Sequence, residues 1–302
     1  MNLRGKLKER EVDLVLLAVA MVWGASYLAA KVLTTHASVV VVLALRFILT
    51  AIGMLAIWVA KRESFSRGEI KLGLLLGTTQ SVILYLETAG VSKTTATNAG
   101  LIISLTIVMT PILESIAARN WLPRAYFVAS VVGVVGVLLL VSGNGFGRPG
   151  LGDLLMLAAA FVRSVHVTAM GHLTRGHSYS SVNLTLLQNV TGAVVFTSLS
   201  LDGVRTAITT FQAPQWWGLL FLSMACSVFA FLGQMWAIRR TSASRASLLL
   251  GTEPIWAVAV GVILGGEILS ILGGVGAVLI VGATFFGQRI ETAHRNGKSA
   301  DQ

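Results

Sequence analysis

Ten apolar stretches, each about 20 residues long, occupy almost the whole of this chain. About 20 helical residues cross the ~30 Å hydrocarbon core of a bilayer, so each stretch is long enough to form a transmembrane helix. The pattern therefore predicts an all-α integral membrane protein with ten transmembrane helices. The predicted spans are residues 13–32, 38–60, 70–91, 94–117, 125–143, 151–171, 181–200, 215–238, 243–264 and 268–288.

The charged residues are few, and their distribution predicts the orientation. They make up only 12% of the chain, against about 25% in soluble domains, which is too few for the surface of a soluble protein. A net charge of +10 would suggest nucleic acid as the partner of a soluble domain. Here, however, seventeen of the 23 Lys and Arg residues fall in segments on the side of the N-terminus and four on the other side. Cytoplasmic loops carry such an excess, so both termini are expected in the cytoplasm and no nucleic acid is expected as a partner.

The first five stretches are echoed by the last five. At a shift of 140 residues, nine of the 22 positions in 13–34 match 153–174, including Asp13 with Asp153. At a shift of 147 residues, 94–101 matches 241–248 at four of eight positions. An odd number of spans per repeat places the two halves in opposite orientations, which is common among secondary transporters. We predict two inverted five-helix repeats, residues 1–147 and 148–302, with Asp13 and Asp153 each capping the helix that they begin.

Several short motifs resemble those of the EamA-type drug/metabolite transporter superfamily, and the similarity covers almost the whole chain. They are Trp23-Gly24-Ala25-Ser26-Tyr27, Arg46-Phe47, the segment 94–100, Ser242-Ala243-Ser244-Arg245-Ala246, Glu253-Pro254 and Gly266-Glu267. The resemblance implies ten helices around a central cavity between inverted halves and the export of small metabolites. Within the superfamily, the chain is most similar to YddG-type amino-acid exporters of the bacterial inner membrane.

The repeats differ at a position that is informative about the site. Trp23 in the first repeat corresponds to Arg163 in the second, and Ser26 corresponds to His166. Arg163 and His166 are three residues apart and therefore share a helix face. Arg163 is expected to hold a substrate carboxylate, and His166 is a candidate proton relay because its ordinary pKa lies near physiological pH. The alternative is an internal hydrogen-bonded network that fixes helix packing.

Ionisable residues inside spans are costly and usually face a bundle interior. Glu253 precedes Pro254, which should kink span nine, and its carboxylate could bind an ammonium group or a proton. Glu87 and its repeat partner Gln234 are expected to face each other across the site. Arg46 and Glu114 are expected instead to form an ion pair or to extend to the membrane interface. The full predicted substrate site, built from spans one, three, four, six, eight and nine, is Trp23, Tyr27, Tyr85, Glu87, Arg163, His166, Gln234, Trp236, Glu253 and Trp256.

Function follows as an expectation with two alternatives. The sequence carries no Walker loop, nucleophile elbow or zinc signature, so no cofactor, metal site or enzymatic activity is predicted. We expect a secondary transporter that exports amino acids by alternating access, with membrane lipid around it and protons as a possible coupling ion. A first alternative is export of cationic drugs or other metabolites, which substitution of Glu253 by Gln should abolish while sparing a zwitterion held by Arg163. A second is an integral-membrane enzyme that acts on lipids.

Overall fold

The computed structural model describes residues 3–94, 96–142, 150–265 and 271–300, and within these ranges all regular structure is helical. The predicted boundary between the halves, at residues 147 and 148, lies outside the described residues, as does Gly266-Glu267. The helices are α1 Leu3–Thr34, α2 Val39–Lys61, α3 Arg67–Val91, α4 Ala96–Ile103, α5 Thr106–Ala117, α6 Arg124–Ser142, α7 Leu151–Thr174, α8 Ser181–Leu199, α9 Leu201–Thr210, α10 Ala213–Leu220, α11 Ala230–Ile238, α12 Ala243–Leu250, α13 Glu253–Gly265 and α14 Ile271–Ala300. A π-helical segment, Phe221–Phe229, joins α10 to α11 without a break.

Seven helices in the described ranges are long and apolar enough to cross a membrane. They are α1, α2, α3, α7, α8, the continuous unit of α10, the π-helical segment and α11, and α14. This confirms a multi-pass helical membrane protein. Predicted span five is the shorter helix α6, and predicted spans four and nine are each divided into two helices, so the count of ten spans stays a prediction.

The two divided spans break at equivalent places. α4 ends at Ile103 and α5 begins at Thr106, whereas α12 ends at Leu250 and α13 begins at Glu253. At the 147-residue shift of the repeat, Ser104 corresponds to Gly251, so the interruptions coincide. The predicted kink at Pro254 is in fact a break just before it. Pro254 lies in the first turn of α13, where a missing backbone N–H costs no helical hydrogen bond.

Helices from the two sequence halves pack against each other throughout. α2 packs along α8, α6 along α14, α3 along α7 and α8, and α1 along α13. These contacts bring the middle parts of α1, α3, α7, α11 and α13 together around the polar side chains described below.

The prediction that both repeat aspartates cap helices is correct for one of them. The Asp153 carboxylate accepts a hydrogen bond from the Gly150 backbone at 2.7 Å, at the start of α7. Asp13 lies ten residues inside α1, because that helix begins at Leu3. Its carboxylate instead binds the Arg245 guanidinium in α12, at 2.8 and 3.1 Å. Glu114, expected at the membrane interface, accepts from the Ser244 backbone N–H at 2.7 Å and so caps α12 from another helix.

Gly24 permits the closest approach between α1 and α13. A Cβ atom at Gly24 would lie 2.7 Å from the Glu253 carbonyl oxygen and 2.8 Å from the Ala257 nitrogen, both of which are backbone atoms. Substitution of Gly24 by Ala is therefore expected to destabilise the protein by about 1–3 kcal/mol, because the helices must separate. Thermal or denaturant unfolding in detergent measures this. Substitution of Gly282 by Ala, where the added methyl would meet nothing within 4 Å, is the control and should show no loss. Equal stability of both variants would contradict the close packing.

Candidate functional site

A small polar cavity lies between helices of both sequence halves. It is lined by α1, α2, α3, α7, α11 and α13, so α2 contributes where span four was expected. The cavity leaves about 30 Å³ for the centres of water-sized molecules, which is room for roughly two waters and not for a metabolite. Its lining residues are Trp23, Ser26, Tyr27, Arg46, Gln80, Ile83, Leu84, Glu87, Arg163, His166, Phe231, Gln234 and Glu253.

One side of the cavity holds a cluster of three charged groups. Arg163 Nη1 lies 3.4 Å from Glu253 Oε2 and 3.5 Å from Glu87 Oε1. The Tyr27 hydroxyl donates to Glu253 Oε1 at 2.5 Å. Buried charges are tolerated when they are paired and hydrogen-bonded, and this cluster joins α1, α3, α7 and α13 in that way. One cation faces two carboxylates, so the cluster carries a formal net charge of −1.

Aromatic side chains separate this cluster from the opposite side of the cavity. The Arg163 guanidinium carbon lies 4.5 Å from the centre of the Trp23 ring, a cation–π contact. Trp23 in turn meets Phe231 edge to face, with ring centres 6.0 Å apart. The Trp23 indole N–H donates to the Cys226 carbonyl at 2.9 Å, which fixes the ring against the π-helical segment.

Arg46 occupies the opposite side of the cavity. Its Nε donates to the Ser227 hydroxyl at 2.9 Å, and its guanidinium carbon lies 5.9 Å from the centre of the Phe231 ring. The side chain is buried, and no carboxylate of the described residues lies within 4.0 Å of it. The expectation of an ion pair or of an extended, interfacial side chain is therefore wrong. The chain places the guanidinium inside the protein facing a polar cavity.

His166 lines the cavity one helical turn from Arg163, so the predicted shared face is confirmed. The imidazole is buried, and its Nδ1 lies 2.7 Å from the Thr79 hydroxyl. Its Nε2 is buried and has no hydrogen-bond partner among the described residues. A buried ring nitrogen without a partner usually indicates an unseen water or ligand atom.

Seven of the ten predicted site residues line the cavity, and three do not. Tyr85 is 42% exposed and stacks on Phe196, because its helix turns it away from the side of α3 that carries Glu87. Trp236 lies under the Arg240 guanidinium at 4.4 Å, near the end of α11. Trp256 is half-buried on α13, outside the cavity lining.

Sequence reasoning missed Ser26, Arg46, Gln80, Ile83, Leu84 and Phe231 as lining residues. A signal existed for Gln80, which precedes Glu87 by seven residues and therefore lies on the same helix face two turns away. The weighting of Arg46 was the more serious error, because an isolated charge in a span carries no information about which way its helix face points. Among the described residues, no three His, Cys, Asp or Glu side chains gather in a way that could hold a metal ion.

A charged cavity enclosed by long apolar helices is typical of a membrane transporter of small solutes. The comparisons with known proteins agree with this class. The chain belongs to the EamA-like transporter family, whose model matches residues 11–142 and again residues 150–287.

Two relatives from archaea are both named as uncharacterized transporters. One, from Archaeoglobus fulgidus, is 25% identical over 282 residues, covering 91% of this chain and 85% of the relative. The other, from Methanothermobacter thermautotrophicus, is 25% identical over 219 residues, covering 71% of this chain and 62% of the relative. A solved crystal structure of a protein aligns with 94% of this chain and 98% of its own, with a TM-score of 0.70 and 16% identity, and it supports the fold alone.

Proposed function

We propose that the chain is a secondary transporter that exports amino acids across the bacterial inner membrane by alternating access. Ten spans form two inverted repeats, and both termini lie in the cytoplasm. The substrate binds in the central cavity between the repeats. The observation that carries the substrate class is the charge distribution in that cavity, with a cluster of net charge −1 on one side and an unpaired guanidinium on the other.

The helix packing supports the inverted-repeat arrangement. α2 with α8 and α6 with α14 pair equivalent spans of the two halves, as an exchange of the halves requires. The contact of α3 with α7 has its counterpart in the contact of α11 with α1. The coincident breaks of spans four and nine fit a further expectation for transporters, in which interrupted helices in corresponding positions flank a midplane site.

The cavity also supports a cycle of movement. In this conformation it has room for water alone, so a metabolite enters only after the surrounding helices move apart. Packed helices from different halves form its walls, and a rocking movement of one half against the other would widen it from either side. Such a movement is the usual basis of alternating access.

The charge distribution favours a zwitterion. Arg163 already contacts both carboxylates, so it is poorly placed to hold a substrate carboxylate as the sequence suggested. Arg46 has no carboxylate partner among the described residues and can take that role through a charge-assisted hydrogen bond. An ammonium group would then lie near Glu87 and Glu253. The two ends of an α-amino acid therefore meet opposite charges across the Trp23 and Phe231 rings.

Flux measurements in proteoliposomes test the proposal. Vesicles loaded with a panel of radiolabelled amino acids should show export above that of protein-free vesicles. Competition then examines the dipolar site: the best substrate should lose at least about ten-fold in apparent affinity when its carboxylate is removed or its amine is acetylated. Running the assay with and without a pH gradient tests protons as the coupling ion. No flux for any amino acid would overturn the proposal.

Export of organic cations is a second candidate, and the net −1 cluster is the observation that favours it. The test based on Glu253 and Arg163 no longer separates the two candidates, because Glu253 would contact the ammonium group of either substrate. Arg46 separates them, since a cation has no carboxylate for it to bind. If the decarboxylated amine competes as well as the amino acid, the cation candidate is the better one.

A further inference from the structure

A groove separate from the central cavity opens between α1, α2, α8 and α11, near the end of the molecule where α1 begins. We name it the basic groove. It leaves about 1000 Å³ for the centres of water-sized molecules, which is far more space than the central cavity has. Its wall is apolar along Ile57, Val228, Phe229 and Leu232, and Phe229 is 43% exposed. A wall of this kind along membrane helices is suited to a hydrocarbon chain.

The mouth of the basic groove carries three cations, Lys61, Arg239 and Arg240, and one acid, Glu63. The Glu63 carboxylate accepts a hydrogen bond from the Ser180 hydroxyl, and no carboxylate of the described residues lies within 4.0 Å of the three cations. The mouth therefore has a formal net charge of +2 without an internal counterion.

The positions of the two arginines indicate where an anion would bind. Arg239 donates to the Ser181 hydroxyl at 3.1 Å and to the His177 carbonyl at 3.2 Å, which holds its guanidinium at the groove. Its Nε is buried and has no hydrogen-bond partner among the described residues. Arg240 lies over the Trp236 ring at 4.4 Å, so an aromatic face supports the second guanidinium beside the first.

We propose that the basic groove binds one anionic phospholipid. The phosphate lies against Arg239, Arg240 and Lys61, and one acyl chain runs along Val228, Phe229 and Leu232. Basic pockets between membrane helices are suited to anionic headgroups. The continuity of the cationic mouth with the apolar wall favours a lipid over a free phosphate, which would gain nothing from the wall. This inference is independent of the transported substrate.

Binding to the purified full-length protein in neutral detergent tests the inference, with native mass spectrometry or lipid-dependent thermal stabilisation as the readout. The probes are dioleoyl phosphatidylglycerol, dioleoyl phosphatidylcholine and glycerol 3-phosphate. Phosphatidylglycerol should bind well above the other two. The double variant Lys61→Gln/Arg240→Gln should bind phosphatidylglycerol about 30-fold more weakly, since each surface cation contributes about five-fold.

A matched control is Arg124→Gln/Arg289→Gln, which removes two exposed cations that do not line the groove. Its phosphatidylglycerol affinity should equal that of the wild type. Lys61 and Arg240 are exposed, so the test variant is expected to fold. Equal binding of phosphatidylglycerol and phosphatidylcholine would overturn the inference, and so would equal losses in the two double variants. Binding of glycerol 3-phosphate as strong as that of the lipid would also overturn it, because it would identify a site for free phosphate.

Discussion

Replacing Arg163 by Met is expected to destabilise the folded protein by about 3–5 kcal/mol, because removal of one partner leaves buried charges uncompensated. Arg163 is the cation within 4.0 Å of both Glu87 and Glu253. Met retains most of the side-chain volume, so the loss reports mainly the charge. The measurement is the free energy of unfolding in detergent micelles or, where unfolding is irreversible, the thermal midpoint.

The same substitution at Arg289 is a matched control. The Arg289 guanidinium lies 4.4 Å from the centre of the Phe285 ring, much as Arg163 lies 4.5 Å from Trp23, but it is exposed and has no carboxylate within 4.0 Å among the described residues. Its loss should cost about 0.5–1 kcal/mol, the range for an exposed cation–π contact. Neutralising Glu87 and Glu253 with Gln in the Arg163→Met background should recover most of the stability. If both arginine variants lose equally, the ion pairs contribute nothing measurable.

Replacing Arg46 by Gln is expected to reduce amino-acid flux about 100-fold, since truncating one partner of a buried, hydrogen-bonded charge pair costs about 2–5 kcal/mol of binding. The native fold should survive, because the contacts of Arg46 in the described structure are one hydrogen bond to Ser227 and the Phe231 ring. Initial rates of efflux of the best substrate from proteoliposomes measure the change. Thermal stability of the same preparation shows that the loss is not unfolding.

Two comparisons make the Arg46 result specific. Arg205→Gln removes an exposed arginine of α9, whose partner is Asp202 in the next helical turn, and should transport like the wild type. Flux of the decarboxylated amine, if any, should be unchanged in Arg46→Gln. Undiminished amino-acid flux in that variant would show that the substrate carboxylate binds elsewhere in the cavity.

Much of the fold could be predicted because a bilayer imposes one length and one polarity on every span. Seven spans follow directly from hydropathy, and the shared face of Arg163 and His166 follows from helical spacing. The direction in which each face points depends on packing between helices distant in sequence, so Arg46 and Tyr85 were assigned wrongly. The break at Ser104 and Leu105 also could not be predicted, because neither residue is a proline or a glycine, and neither interrupts a helix by its own preference.

The π-helical segment Phe221–Phe229 sets the rotational phase of everything that follows it in the same span. A regular α-helix advances about 100° per residue, whereas wider i to i+5 turns absorb additional residues without lengthening the rod in proportion. Deleting one residue here would let the rod rewind to α-helical pitch and rotate its far half by about 100°. Phe231 and Gln234 would then leave the cavity, and the Cys226 carbonyl would no longer meet the Trp23 indole. The identity of the cavity lining on this side therefore depends on winding as much as on composition, and insertions or deletions in this segment should alter selectivity more than most point substitutions.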